Sequence, residues 1–179
     1  MKMYPKEVEK ILQKVQKPGR YVGGETHSVV KNKDEVDVRF AFCFPDIYEI
    51  GMSHLGIKIL YGAMNQIPYF WCERVFAPWV DMEQEMLKRN IPLYALESGS
   101  PVKDFDFIGF TLQYELSYTN ILNMLKLSGI PLRSKDRPDL FNIVVAGGPC
   151  ACNPEPLADF FDIFFLGDGE EVDIEVMEL

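Results

Sequence analysis

The chain has 179 residues, of which 47% are hydrophobic and 25% are charged, and its formal net charge at pH 7 is −9. This length and composition are typical of one globular domain with a substantial buried core. The acidic charge argues against a nucleic-acid partner, because binding to phosphates needs clustered basic residues. No apolar run reaches the roughly 18–20 residues of a membrane span, and no apolar signal segment follows the lysine-rich start, so we expect a cytoplasmic protein.

Residues 1–37 are predicted to form a helix and a polar connection that pack on the rest of the domain. The helix is expected over Tyr4–Val15, where apolar residues recur at helical spacing. The sequence Lys17-Pro18-Gly19-Arg20 ends it, because proline cannot continue the helical hydrogen bonds and glycine adopts unusual backbone angles. The polar connection extends to Asp37 and contains Gly23-Gly24, to which the pattern assigns no role.

Residues 38–179 alternate between apolar runs of strand length and segments of helical periodicity. Strands are predicted at Val38–Phe44, Arg74–Ala77, Leu93–Glu97, Asp106–Leu112, Phe141–Ala146 and Ile163–Leu166. The helices between them are expected to face inward at Ile57, Leu60, Tyr61 and Met64, at Trp79, Met82 and Met86, and at Tyr118, Ile121, Leu122 and Leu125. Shorter helices are predicted after the Asn153 cap and from about Glu170. Apolar strands separated by amphipathic helices indicate a doubly wound, flavodoxin-like α/β domain, with a parallel sheet of five or six strands and helices on both faces.

Four of the predicted strands are followed by loops of unusual composition. Ligands of open parallel sheets bind at the carboxyl ends of the strands, and glycine there lets a ligand approach the backbone. A tight turn is sufficient to explain any single glycine pair, but four such loops at one edge favour a binding site. The candidate site residues are Asp46, Tyr48 and Gly51; Thr111, Gln113 and Tyr114; Gly147, Gly148 and Pro149; and Gly167, Asp168, Gly169 and Glu170.

These loops resemble a known family. Asp46-Ile47-Tyr48-Glu49-Ile50-Gly51 has the layout of the Asp-x-His-x-x-Gly loop that grips cobalamin in methionine-synthase-like domains. Many radical S-adenosylmethionine (SAM) proteins have a cobalamin-binding-like domain at the N-terminus, with the pattern Gly-Gly-Pro-His-x-x-x-x-Pro-Glu followed by Asp and Gly-Glu-Gly-Glu. This chain is similar to that pattern in its segments 147–156, 161–162 and 167–171. There is also a narrower resemblance to an uncharacterised radical SAM subfamily, in the stretches 39–46, 76–79 and 109–118.

The resemblance implies that this chain is the N-terminal domain of a larger radical SAM protein. It would hold a corrinoid, or the remnant of a corrinoid site, over a catalytic barrel that these 179 residues lack. Cobalamin is the cofactor implied for this domain, whereas S-adenosylmethionine and a 4Fe-4S cluster belong to the barrel, which is the implied partner. The chain alone is therefore expected not to be catalytic. The alternative is a cofactor-free scaffold or docking module of the same protein.

Two residues depart from the family pattern. Tyr48 stands where the cobalt-ligating histidine of the methionine-synthase type would be, and a phenol with an ordinary pKa of about 10 is a poor metal ligand at neutral pH. We therefore expect cobalamin to bind without a histidine on cobalt. Cys150 stands where the wider family often has histidine; with Cys152 it makes one close pair, short of a four-ligand zinc site. His54 is interpreted as a capping or packing residue about two turns into a helix.

Other activities on this fold find less support in the sequence. A phosphoacceptor site of the receiver type would need an aspartate ending the third core strand and a lysine after the fifth, but the sequence there reads Thr111-Leu112-Gln113 and continues from Leu166 without lysine. Neither the Walker pattern nor Gly-x-Gly-x-x-Gly occurs. A flavin or nucleotide binder is therefore a third hypothesis, behind the corrinoid domain and the scaffold.

Overall fold

A computed structural model describes residues 4–137, 141–169 and 175–176 of the chain. These residues contain a sheet of five parallel strands in the order β2-β1-β3-β4-β5, which confirms the predicted flavodoxin-like α/β arrangement. The strands are β1 Val38–Phe44, β2 Phe70–Phe76, β3 Phe107–Thr111, β4 Ile143–Gly147 and β5 Ile163–Phe164. The helices are α1 Glu9–Leu12, α2 Tyr48–Ser53, α3 Leu55–Asn65, α4 Val80–Arg89 and α5 Tyr118–Ser128.

The two faces of the sheet bury different side chains, because successive residues of a strand point to opposite sides. On the first face, Phe40, Phe42 and Phe44 of β1 pack with the inner residues of α3. On the second face, Ala41 and Cys43 of the same strand belong to the core formed with α1, α4 and α5. Strands that are covered on both sides need apolar residues at every position, which explains the continuous apolar runs in the sequence.

Two predicted helices after β2 and β3 are present, with one error in orientation. Met82 and Met86 of α4 are buried as predicted, whereas Trp79 is 43% exposed. Trp79 lies before the helix in extended backbone, so the helical spacing that was expected to turn it inward does not apply to it. The end of α5 is as predicted, since Gly129 takes a left-handed φ of 74° at its C-terminus.

The prediction of a strand at Leu93–Glu97 was wrong. This segment is a loop with a single bridge, between Tyr94 and Pro101. Its apolar residues are buried because the loop packs against the outer edge of β2, where the Leu96 N–H donates to the Arg74 carbonyl at 2.9 Å. The alternation between apolar residues and turn signals in the sequence does not distinguish such a buried loop from a strand.

Strand β2 begins four residues earlier than predicted, at Phe70. The part of β2 that was not predicted ends in Glu73. A charged residue is not expected inside a buried strand, so the sequence pattern placed Glu73 before the strand. In the structure Glu73 is buried and accepts a hydrogen bond from Arg39, with 2.5 Å between the two groups. Arg74 is also buried and pairs with Glu97 at 2.6 Å. Paired charges therefore occupy the interior of this strand.

Among the described residues no strand lies beside the outer edge of β2, yet backbone groups of Phe70, Cys72 and Arg74 at this edge are hydrogen-bonded. Side chains from three other segments, together with one backbone N–H, bond to the N–H and C=O groups that a further strand would otherwise use. From one end of the strand to the other, Lys31 donates to the Phe70 carbonyl, Asn65 bonds to both the N–H and the carbonyl of Cys72, Glu97 accepts from the Arg74 N–H, and Leu96 donates to the Arg74 carbonyl.

The ends of the chain differ from expectation in several details. The helix predicted over Tyr4–Val15 is limited to a 3-10 turn and α1, although Val8 and Ile11 are buried as its pattern implies. Asn153 does not cap a helix, because the 3-10 turn Glu155–Leu157 has Pro154 at its N-cap position. The helix expected from about Glu170 falls mostly outside the described residues, but Gly169, Glu175 and Val176, which are described, are helical. Among those that are described, no helix is long and apolar enough to cross a bilayer.

Candidate functional site

A cavity of about 220 Å³ opens at the carboxyl edge of the sheet, on its first face. Phe40, Phe42 and Val145 line it from the strands, and Ile57 and Leu60 line it from α3. The cavity lies above β1, β3 and β4. Strand order reverses between β1 and β3, which is the position where sheets of this topology bind their ligands.

Seven of the predicted site residues come together around this cavity. They are Thr111 and Gln113 after β3, Gly147 and Gly148 at the end of β4, and Gly167, Asp168 and Gly169 after β5. The loops of three different strands therefore meet at one place, because parallel strands bring their carboxyl ends to the same edge.

The glycines of these loops have two different structural roles. Gly148 has a φ of 103°, and a Cβ there would lie 3.0 Å from the Leu112 carbonyl oxygen, so a tight turn requires this glycine. A Cβ on Gly147 would come no closer than 3.8 Å to any heavy atom outside its immediate neighbours, and a Cβ on Gly167 would meet nothing within 4 Å. Gly147 and Gly167 therefore leave open space beside the backbone.

The polar groups of the cavity are few. The Gln113 side-chain amide donates a hydrogen bond to the Thr111 hydroxyl. Asp168 is the only carboxylate among the described residues that line the cavity, and neither lysine nor arginine lines it. A phosphate group would therefore find no cationic side chain here, which makes the cavity more suitable for an uncharged group.

His54 is part of the cavity wall and caps a helix. It lies at the break between α2 and α3, where its Nδ1 accepts from the Ile57 N–H at 3.4 Å. The interpretation as a capping residue is confirmed, but His54 stands at the start of α3 and not two turns into a helix. The His54 ring lies 5.3 Å from that of Phe44.

Tyr48 and Gly51 do not line this cavity. The Tyr48 ring packs edge-on against Phe76, with 5.6 Å between ring centroids. Burial and a hydrogen bond with Glu25 raise the pKa of Tyr48 to about 12. Tyr48 lines a separate space of about 20 Å³ on the β2 side. A Cβ on Gly51 would lie 2.2 Å from the Phe76 ring, so close packing with that ring explains this glycine.

The segment Lys17–Tyr21, which we call the N-terminal brace, folds back on the carboxyl edge beside β2. Lys17 and Arg20 both donate to the Glu49 carboxylate in the first turn of α2, each at 2.9 Å. These hydrogen bonds lower the pKa of Glu49 to about 2. The Arg20 guanidinium also lies 5.6 Å from the ring of Trp79. The brace therefore joins the loops that follow β1 and β2.

Asp46 and Tyr114 form a pair beside the cavity. The Tyr114 hydroxyl donates to Asp46 Oδ2 at 2.6 Å, between the loops that follow β1 and β3. This hydrogen bond, with a smaller effect of burial, raises the pKa of Tyr114. Pro149 begins a 3-10 turn and does not line the cavity. Glu170 lies outside the described residues.

Sequence reasoning missed the apolar residues that line the cavity. The signal that could have indicated them is Gly109, an isolated glycine inside a strand, which often marks a close approach to the backbone. A Cβ on Gly109 would fall 2.1 Å from the ring of Phe40. The glycine therefore lets this ring lie directly against the neighbouring strand.

Residues 56–179 match the family described as radical SAM proteins, N-terminal. The chain belongs to this family. The match begins in the first turn of α3 and includes the cavity-lining loops after β3, β4 and β5. The chain is also 33% identical, over 135 residues, to an uncharacterised protein of Methanocaldococcus jannaschii. That alignment covers 75% of this chain and 24% of the relative, so the matched part spans about a quarter of the relative's length.

The four cysteines of this radical SAM N-terminal domain differ in their exposure. Cys43 and Cys72 are buried, Cys150 is half-buried and Cys152 is exposed. In the described part of the chain, no group of three or more histidine, cysteine or acidic side chains is close enough to hold a metal ion.

Proposed function

We propose that this domain holds a corrinoid, without a histidine on cobalt, as the N-terminal part of a larger radical SAM protein. The observation that carries the proposal is the cavity at the point where strand order reverses, lined by the backbone of glycines after β4 and β5. The family membership supports a radical SAM catalytic barrel elsewhere in the parent protein. When bound, a corrinoid supplies a cobalt centre that exchanges alkyl groups or electrons.

The residues that are present fit such a ligand in part of its structure. A cavity of about 220 Å³ is smaller than the roughly 300–1,000 Å³ of sites that enclose a whole drug-sized ligand. It would accommodate a flat aromatic base, such as the one in the nucleotide tail of cobalamin. Gly147 and Gly167 leave the open space that the base would occupy.

The chemistry of the edge also fits binding without histidine. His54 is engaged in capping α3, and Tyr48 is turned toward Phe76 and Glu25. The Nδ1 of His54 is therefore engaged within the protein, and Tyr48 lies outside the cavity. This supports a mode of binding in which the contacts come from the loops after β3, β4 and β5.

The experiment is to mix the purified chain with hydroxocobalamin and to follow corrinoid absorbance through gel filtration. In a Gly147→Leu variant the new side chain has room at its Cβ and extends into the cavity, so we expect retention to weaken by at least about tenfold, or about 1.4 kcal/mol. The matched control is Gly62→Leu on α3, where a Cβ meets nothing within 4 Å. We expect the control to retain corrinoid as the unmodified chain does.

Two results would contradict the proposal. One is that the unmodified chain retains no corrinoid at high micromolar concentration. The other is that Gly147→Leu retains as much as Gly62→Leu, which would place the ligand away from the cavity.

The second candidate function is a scaffold that docks on the rest of the parent protein without a cofactor. Large apolar side chains are exposed in segments that follow strand ends, among them Leu116, which is 87% exposed, and Leu55, which is 68% exposed. Such side chains favour a protein contact at this edge. The absence of corrinoid retention by the unmodified chain would favour this function.

A further inference from the structure

The hydrogen bond between Tyr114 and Asp46 stands at the position where this fold binds ligands. Asp46 follows β1 and Tyr114 follows β3, and strand order reverses between these two strands. The residue before Tyr114 in the chain, Gln113, lines the cavity. Tyr114 is 40% exposed, so a ligand at this edge can reach its ring and its hydroxyl group.

The partners of Asp46 determine what Tyr114 offers to a ligand. Asp46 Oδ1 accepts from the Ile47 N–H at 2.7 Å, which fixes the carboxylate, and Oδ2 accepts the Tyr114 proton. Because that proton is engaged, the Tyr114 oxygen presents lone pairs and acts as an acceptor. A carboxylate that accepts a hydrogen bond from a hydroxyl polarises it and so makes the hydroxyl oxygen a better acceptor.

Tyr48, the tyrosine of the cobalamin-like motif, does not offer the same chemistry. Its ring packs on Phe76 on the β2 side of the edge, and it lines the separate space there and not the cavity. The aspartate of the motif is thus paired with a tyrosine from a different loop.

We propose that Tyr114, held by Asp46, is a ligand-contacting residue whose oxygen accepts from an electron-poor group of the ligand. This inference rests on the proposed function. For a corrinoid, the electron-poor group is an amide N–H of a corrin side chain.

The test is a titration of the purified chain with hydroxocobalamin, followed by absorbance, for the unmodified chain and three variants. We expect Tyr114→Phe to weaken binding by roughly 3- to 10-fold, because one hydrogen bond is lost. The absorbance bands of the bound corrinoid should stay in place, and a shift of these bands would contradict the assignment of the contact to an amide. Tyr69→Phe is the matched control, because Tyr69 is 38% exposed but precedes β2 at the opposite edge.

The third variant, Tyr48→Phe, tests whether the tyrosine of the cobalamin-like motif contacts the ligand instead of Tyr114. Binding and spectrum like those of the unmodified chain are expected for it. The inference is overturned if Tyr114→Phe binds with unchanged affinity and spectrum, or if Tyr48→Phe is the variant that weakens binding. Failure of the proposed function gives a different result, since the unmodified chain would then retain no corrinoid at all. Circular dichroism and thermal unfolding of each variant establish that the fold is intact.

Discussion

The carboxyl edge of this sheet is closed above β1 and β2 and open above β1, β3 and β4. The closed half leaves about 20 Å³ between Tyr48, Phe76 and the N-terminal brace. The open half leaves about 220 Å³, and glycines with free space beside them line it. Both halves are built from loops that follow parallel strands, so the difference lies in what covers them. Side chains from the N-terminal segment close one half, and no described side chain fills the other.

The residues of the cobalamin-like motif, 46–51, lie partly beside the open half and partly in the closed half. Asp46 pairs with Tyr114 beside the open half, whereas Tyr48 and Gly51 pack against Phe76 in the closed half. A motif in the sequence therefore locates a loop, but the neighbouring segments decide which of its side chains can face a ligand.

The largest effect is expected from the buried ion pair between Arg74 and Glu97, which joins the loop Leu93–Glu97 to β2. Glu97→Gln leaves the Arg74 guanidinium buried without its carboxylate, so we expect a loss of about 3–5 kcal/mol in the free energy of unfolding, measured with urea. Glu85→Gln is the control, since its pair with Arg89 lies on the surface of α4 and should leave the stability close to that of the unmodified protein. A loss below about 1 kcal/mol for Glu97→Gln would mean that this pair does not hold the closed half together.

An intermediate effect is expected at Gly51, which the sequence assigned to ligand binding. In Gly51→Ala the new methyl group meets the Phe76 ring, so we expect destabilisation by about 1–3 kcal/mol in urea. The matched control, Gly62→Ala, adds a methyl group in open space on α3 and should stabilise by up to about 1 kcal/mol. Equal effects of the two substitutions would show that Gly51 is not fixed by packing in the closed half.

The smallest effect is expected from the N-terminal brace. The pKa of Glu49 is about 2 in the folded protein and about 4.5 ordinarily, so its ionised form stabilises the fold above pH 4.5 and this contribution is lost as the pH falls toward 2. The group is partly exposed, so Glu49→Gln should cost only about 0–1 kcal/mol at pH 7. Unfolding free energies measured against pH should converge for the two proteins in acid. A gap that widens on acidification would contradict the assignment.

The sequence predicted strand β1 to the residue but only half of β2. Val38–Phe44 is apolar throughout because both faces of this central strand are covered. Strand β2 carries Glu73 and Arg74 in its buried interior, and their partners, Arg39 and Glu97, are distant in the chain. A local pattern has no information about such partners, so it assigns paired charges to the surface.

The candidate site was predictable where the backbone defines it and not where packing does. Glycines at the ends of β4 and β5 indicated the open half, because their conformational freedom is a property of the residue itself. The orientation of Tyr48 depends on Phe76 and on Glu25, and neither contact follows from spacing. His54 was interpreted correctly as a cap, although its helix begins later than expected.

The sealed outer edge of β2 has a consequence for the protein in solution. An open edge strand recruits the edges of other molecules, and this leads to intermolecular sheets. Here the side chains of Lys31, Asn65 and Glu97 form hydrogen bonds with backbone groups of β2 that a neighbouring strand would otherwise use. Residues that make no direct contribution to the cavity thus occupy the backbone groups through which a strand of another copy would pair with this edge.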